Sequence, residues 1–115
     1  MTKLLIVEDH AEMRRELTNL LCDLGEIYEC SDGAEAFSAY GQYRPDWVLM
    51  DIKMERMNGI TATRAIKAVY PEARIVIVTG YDDAELRAAA QSAGACEYVV
   101  KENLWEVRRI VGQVV

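Results

Sequence analysis

The chain has 115 residues, of which 51% are hydrophobic and 28% charged, a balance that fits one globular domain over residues 1–115 and excludes disordered and fibrous classes. Its formal net charge of -6 argues against direct nucleic-acid binding, which needs concentrated Lys and Arg, and makes cations the expected guests. Three cysteines, Cys22, Cys30 and Cys96, are odd in number and lack CxxC spacing. They read as small buried apolar residues in a reducing, cytoplasmic compartment and exclude a disulfide framework or a zinc site.

The opening MTKLLIVED reaches charge after too few apolar residues for a signal peptide or a membrane span, so no membrane association is expected. Residues 3–7 (KLLIV) form an apolar run ending in Glu8 and Asp9, which reads as a strand buried on both faces. Met13, Leu17, Leu20, Leu21 and Leu24 then recur at helical spacing, with Gly25 as the expected stop. A shorter strand over 27–30 leads to Asp32 and Glu35, a capping box that opens a helix with Ala36, Phe37 and Tyr40 inward, ending before Pro45.

The run DWVLMD at 46–51 predicts a third buried strand that surfaces at Asp51. Asn58-Gly59 marks a turn, followed by a helix over 60–70 closed by Pro71. Residues 74–79 (RIVIVT) form the fourth strand and end in the hydroxyl of Thr79. Asp82 and Glu85 are expected to cap the next helix, whose inward face of Leu86, Ala89, Ala90 and Ala93 buries so little apolar area that it should be the most loosely held. Gly94 stops that helix, residues 97–100 form a fifth strand ending in Lys101, and Asn103 with Glu106 should cap a last helix with Leu104, Val107, Val111 and Val114 inward. Five alternating βα units predict an α/β fold, a doubly wound parallel sheet of flavodoxin-like order 2-1-3-4-5.

A parallel sheet brings Glu8, Asp9, Asp51, Thr79 and Lys101 to one edge, the edge where α/β sheets bind ligands. Carboxylates about 4 Å apart repel by roughly 4 kcal/mol per pair at an effective dielectric of 20, so the cluster suits a cation. Oxygen-only ligands suit Mg²⁺, which keeps waters and completes its shell with phosphate oxygens. Thr79 and Lys101 are fit to hold phosphoryl oxygens, and an aspartate is a phosphoryl acceptor, so the set can perform in-line phosphoryl transfer to Asp51. Each residue alone has a plainer reading: Glu8 and Asp9 as a helix N-cap, Thr79 bonding its own turn, Lys101 as a solvated charge, Tyr98 as a half-buried aromatic, and His10, whose place after the acid pair also offers a phosphodonor or metal role, as a first-turn helix residue. Trp105, Arg108 and Arg109 suggest a dimer or partner face, with solvated arginines as the plainer alternative.

This set, with small Gly80 after Thr79, Tyr98 three residues before Lys101, the MNG turn at 57–59 and AGA at 93–95, resembles the receiver domain of two-component response regulators over essentially the whole chain. The resemblance implies that Asp51 takes a phosphoryl group from a sensor histidine kinase or phosphotransfer protein. It implies Mg²⁺ held by Asp9, Asp51 and the backbone carbonyl of Lys53, with Glu8 on a metal-bound water, and phosphoryl oxygens bound by Thr79 and Lys101. Thr79 and Tyr98 would then form the switch, acting on a homodimer or an output domain by population shift. Such a protein promotes only its own phosphorylation and dephosphorylation and is not a turnover enzyme.

The chain departs from that family at two prolines, replaced by Glu102 after Lys101 and by Glu55 in the loop after Asp51. The first predicts a trans bond after Lys101 or a strained one, and the second a looser loop. Lys53 and Tyr81 stand where the family tunes the lifetime of the phosphoryl group. The alternative is a receiver-like interaction module that acts without phosphorylation, with Glu102 as its best support. A phosphatase would want a second Asp two residues after Asp51, where Lys53 stands, and a nucleotide or flavin binder would want glycines where VEDHAE stands.

Overall fold

The computed structural model describes residues 2–54 and 56–112. The chain runs β1 (Thr2–Val7), α1 (Ala11–Leu21), β2 (Gly25–Cys30), α2 (Gly33–Tyr43), β3 (Trp47–Met50), α3 (Gly59–Val69), β4 (Ile75–Thr79), α4 (Ala84–Ala93), β5 (Glu97–Val100), a 3-10 turn at Lys101–Asn103 and α5 (Trp105–Val111). All neighbouring strands pair parallel in the order β2-β1-β3-β4-β5, as the alternation predicts.

Successive residues of a strand point to opposite faces, and this period of two divides the core. Leu5, Val7, Val48, Met50, Ile75 and Ile77 face Ala36 and Tyr40 of α2, Ile66 of α3, and Ala90 and Ala93 of α4. Leu4, Ile6, Leu49, Val76 and Val78 face Leu17 and Leu21 of α1 and Val107, Ile110 and Val111 of α5. Both faces of the central strands are therefore dry, which is why their sequences read as unbroken apolar runs. The grip on α4 is weak as expected: it fully buries only two alanines, whereas α3 buries Ile60 and Ile66, each worth about 1.5–3 kcal/mol.

Several local expectations are corrected. Gly25 does not stop α1, which ends at Leu21; it opens β2, paired with Thr2. A Cβ at Gly25 would lie 2.0 Å from the Thr2 carbonyl oxygen, so the close strand approach requires glycine. Phe37 is exposed and tilts against Tyr70, while Ala39 takes the inward place on α2. The cap of α4 is Asp83, whose carboxylate accepts from Leu86 N at 2.9 Å, while Asp82 pairs with Arg87. Asn103 lies in the 3-10 turn, and α5 starts with no side-chain cap. Ile110 joins its inward face; the expectations for Val114 and Glu55 fall outside the described residues. Cys30 is buried but Cys22 and Cys96 are exposed free thiols. Among the described residues no helix is long and apolar enough to cross a membrane.

Candidate functional site

Parallel register sets the site. Val7 pairs with both Cys30 and Met50, so the first residues past β1 and β3, Glu8 and Asp51, emerge side by side. The ladder extends one step beyond the strands, Glu8 N donating to Cys30 O at 3.1 Å and Asp51 N to Val7 O at 3.0 Å. Thr79 pairs with Val100, which puts Lys101 one residue past the same edge. The turn after Asp51 is tight: Gly59 N donates to Ile52 O at 2.9 Å, and a Cβ on Gly59 would lie 1.8 Å from the Asp51 carbonyl oxygen. Only glycine lets α3 start this close to the strand end.

Glu8 and Asp51 are buried, 1% and 5% exposed. One ammonium serves both: Lys101 Nζ lies 2.8 Å from Glu8 Oε1 and 3.6 Å from Asp51 Oδ2. Burial acts to raise the Glu8 pKa, but Lys101 and the His10 backbone N–H outweigh it and hold the carboxyl below its usual range. Burial acts to lower Lys101, and its two carboxylates override that and raise it. Asp51 receives what is left. Burial first, and the negative charge of Glu8 second, push its carboxyl up to about 7 despite Lys101 and the Ile52 N–H on Oδ1.

Asp9 completes a cluster short of positive charge. Its Oδ1 is shut from solvent without a hydrogen bond, the nearest basic atom being His10 Nδ1 at 3.1 Å. One ligand atom each of Glu8, Asp9, His10 and Asp51 lies within 4.8 Å of the others. A divalent cation fits this set on three grounds: an orphaned carboxylate oxygen, a buried acid whose charged form is disfavoured without one, and hard oxygen donors. The plainer reading of Glu8 and Asp9 as a cap fails, because the N-cap position of α1 is His10 and no side chain caps it.

Thr79 is fully buried at the same edge, and its Oγ1 accepts only weakly, from Tyr81 N at 3.4 Å. Tyr98, half-buried on β5, donates its hydroxyl to Tyr81 O at 2.6 Å and carries the Arg87 guanidinium 4.5 Å from its ring centroid. Lys53 is exposed, its Nζ 5.5 Å from the Tyr81 ring centroid. The bond after Lys101 is trans, and Lys101 reaches Glu8 without a proline behind it. Arg108 is not a free surface charge: it makes two bonds to Asp23, at 2.7 and 2.8 Å, and one to Leu20 O.

Sequence reasoning set one neighbour of the acids aside as a plain helix residue and missed another. His10 bridges Glu8 and Asp9 through Nδ1, and its adjacency in sequence was the available signal. Arg14 donates to Glu8 O at 2.7 Å and to Glu29 Oε1 at 3.0 Å, tying the loop after β1 to β2. No periodicity marks that contact.

A family model of the response regulator receiver domain matches residues 4–111. The chain belongs to this family. Phosphorylation-based switching is the family's role, and receiver domains are generally not classical enzymes. They bind Mg²⁺ at an acidic site, and Glu8, Asp9 and Asp51 form an acidic cluster here. Chemotaxis protein CheY of Bacillus subtilis is 37% identical over 101 residues, covering 86% of this receiver and 84% of that protein. Transcriptional regulatory protein PdtaR of Mycobacterium tuberculosis is 38% identical over 103 residues, covering 86% of this receiver and 49% of that protein. The receiver thus spans most of CheY but about half of such a regulator. In solved structures, Vibrio cholerae CheY4 superposes with a TM-score of 0.89 at 25% identity, covering 100% of this chain and 99% of that one. CheY in the CheX–CheY–BeF3–Mg complex of Borrelia burgdorferi superposes at 0.88 and 27% identity, covering 96% and 86%.

Proposed function

We propose that this receiver accepts a phosphoryl group on Asp51 from a sensor histidine kinase or phosphotransfer protein, and that the modified domain switches a partner or output surface. The observation that carries this is the buried Asp51 carboxyl between Glu8, Asp9 and the Lys101 ammonium, at a site deficient in positive charge. Asp9, Asp51 and the Lys53 carbonyl are the residues that would hold Mg²⁺, with Glu8 acting through a bound water. When bound, the ion neutralises carboxylate and phosphoryl charge.

The chain's own part is positioning and charge. Asp51, held as the carboxylate, forms a P–O bond as the donor's P–N bond breaks, and the freed imidazole takes a proton. Lys101 and the Thr79 hydroxyl bind the transferred oxygens. Thr79 is free to turn toward them because its present bond to Tyr81 N is long, and Tyr98 bonds the same residue. A shift at Thr79 therefore bears on Tyr98 through Tyr81, and the lightly packed α4 is the element such a shift can move. The presence of BeF3 and Mg in the Borrelia CheY complex supports this reading.

Incubation with acetyl phosphate and Mg²⁺, read by intact mass, is expected to add one phosphoryl group to the wild type and none to Asp51→Asn. No gain in the wild type, or a gain that survives Asp51→Asn, would overturn the assignment. The reading as an interaction module that works unphosphorylated leaned on Glu102, and Lys101 reaches the acids regardless.

The lifetime of the phosphoryl group is expected to depend on Lys53, whose ammonium stands over the Tyr81 ring beside the acceptor loop and hinders attacking water. Lys53→Ala should shorten the half-life a few-fold. An equal or longer half-life in a phosphate-release assay would contradict this.

A further inference from the structure

The loop after Asp51 is held from its far side by a contact that the strand-end chemistry does not require. Asp32 caps α2 with Oδ1, which accepts from Glu35 N at 3.0 Å. Its Oδ2 accepts from Arg56 Nε at 2.7 Å and lies 2.6 Å from Nη2. The Asp32 side chain is 9% exposed and that of Arg56 64%, so a guanidinium from one loop reaches into a buried acceptor at the start of another helix. Charge-assisted bonds of this length are the stronger kind.

A second, steric contact lies beside it. A Cβ on Gly33 would sit 2.5 Å from the Met57 carbonyl oxygen, so the loop backbone rests directly on the first residue of α2. At its other end the loop closes through Gly59 N to Ile52 O at 2.9 Å. Residues 52–58 (IKMERMN) contain no proline, so no ring restrains the backbone, and these contacts to the loop fall at Ile52, Arg56 and Met57.

We propose that Arg56 and Asp32 are positioning residues: their ion pair fixes the loop that carries the Lys53 carbonyl and thereby sets the divalent-cation site at Asp51 without touching it. The cation half rests on the function proposed above; the loop half does not. Asp32→Asn separates pair from cap, since Asn caps a helix as well as Asp. Arg56→Gln removes the pair and leaves the cap alone.

The test measures amide hydrogen exchange in the metal-free protein and Mg²⁺ affinity by calorimetry. Each variant is expected to speed exchange of the amides between Ile52 and Gly59 about three- to tenfold, to leave those of β1 and β4 unchanged, and to weaken Mg²⁺ by a similar factor. Arg56→Lys should restore most of both, and the double variant should be no worse than the worse single. Unchanged loop exchange, additive effects, loosening spread over the whole domain, or looser exchange at unaltered Mg²⁺ affinity would overturn the proposal. A wild type that takes no Mg²⁺ sinks the proposed function instead, and the exchange data still decide whether the pair holds the loop.

Discussion

Replacing Asp51 by Asn is expected to stabilise the metal-free protein by on the order of 2 kcal/mol at pH 8 and by almost nothing at pH 4. The folded carboxyl is pushed up to about 7 by burial and then by the Glu8 charge, while in the unfolded chain it titrates near about 3.9. Between those values the unfolded chain has released its proton and the folded one has not. Unfolding therefore releases a proton, and wild-type stability falls as pH rises from about 4 through about 7, then levels off. Asn keeps the shape and the acceptor for Ile52 N, 2.9 Å away in the wild type, but carries no charge to bury. The full shift, about 3 units, is worth roughly 4 kcal/mol, and relief by Lys101 and by relaxation brings the expected gain to about half of that.

Urea denaturation of both proteins in chelator at pH 4, 6 and 8 measures this. Saturating Mg²⁺ should reverse the order, because an ion that binds the native carboxylate stabilises the wild type by mass action and finds one ligand fewer in the variant. A difference that does not vary with pH, or destabilisation by Asn at pH 8, contradicts the charge deficit on which the proposed function depends.

The second large effect is expected at Lys101. Lys101→Met leaves Glu8, 1% exposed, without its ammonium at 2.8 Å. Breaking a fully buried pair costs about 3–5 kcal/mol, and the partial exposure of Lys101, 20%, reduces that to about 2. Phosphoryl uptake from acetyl phosphate should slow by about 10²-fold, the usual cost of one preorganised charge-stabilising donor. Adding Glu8→Gln, read against Glu8→Gln alone because Glu8 also serves the cation site, separates the two roles: it removes the stranded charge and should restore stability at pH 7 while uptake stays well below that of the single Glu8→Gln variant. Uptake recovering along with stability would make Lys101 a structural partner of Glu8 and nothing more.

Much of the fold was legible because it rests on local patterns. Unbroken apolar runs such as Leu4–Val7 and Ile75–Val78 are buried on both faces, and helical spacing put Leu17 and Leu21 inward. The misses fall where a contact from elsewhere overrides a local signal. Gly25 resembles a helix stop, but the Thr2 carbonyl across the sheet is what demands glycine there. Asp82 and Asp83 are equivalent as caps by composition, and it is Asp83 that takes the extended N-cap backbone and accepts from Leu86 N. Phe37 is apolar enough for the core, yet it lies exposed against Tyr70 while Ala39 is buried.

The sequence by itself determined the five βα units, their parallel order, and the arrival of Glu8, Asp9, Asp51, Thr79 and Lys101 at one edge, because strand length, period and chain order are properties of neighbours along the chain. Tertiary structure alone decided how the charges are shared: Lys101 pairs with Glu8 more closely than with Asp51, His10 joins the acids, Asp32 takes Arg56, and Asp23 takes Arg108 across 85 positions. Electrostatic energy depends on distance and burial in space, which register and packing fix and no sequence window contains.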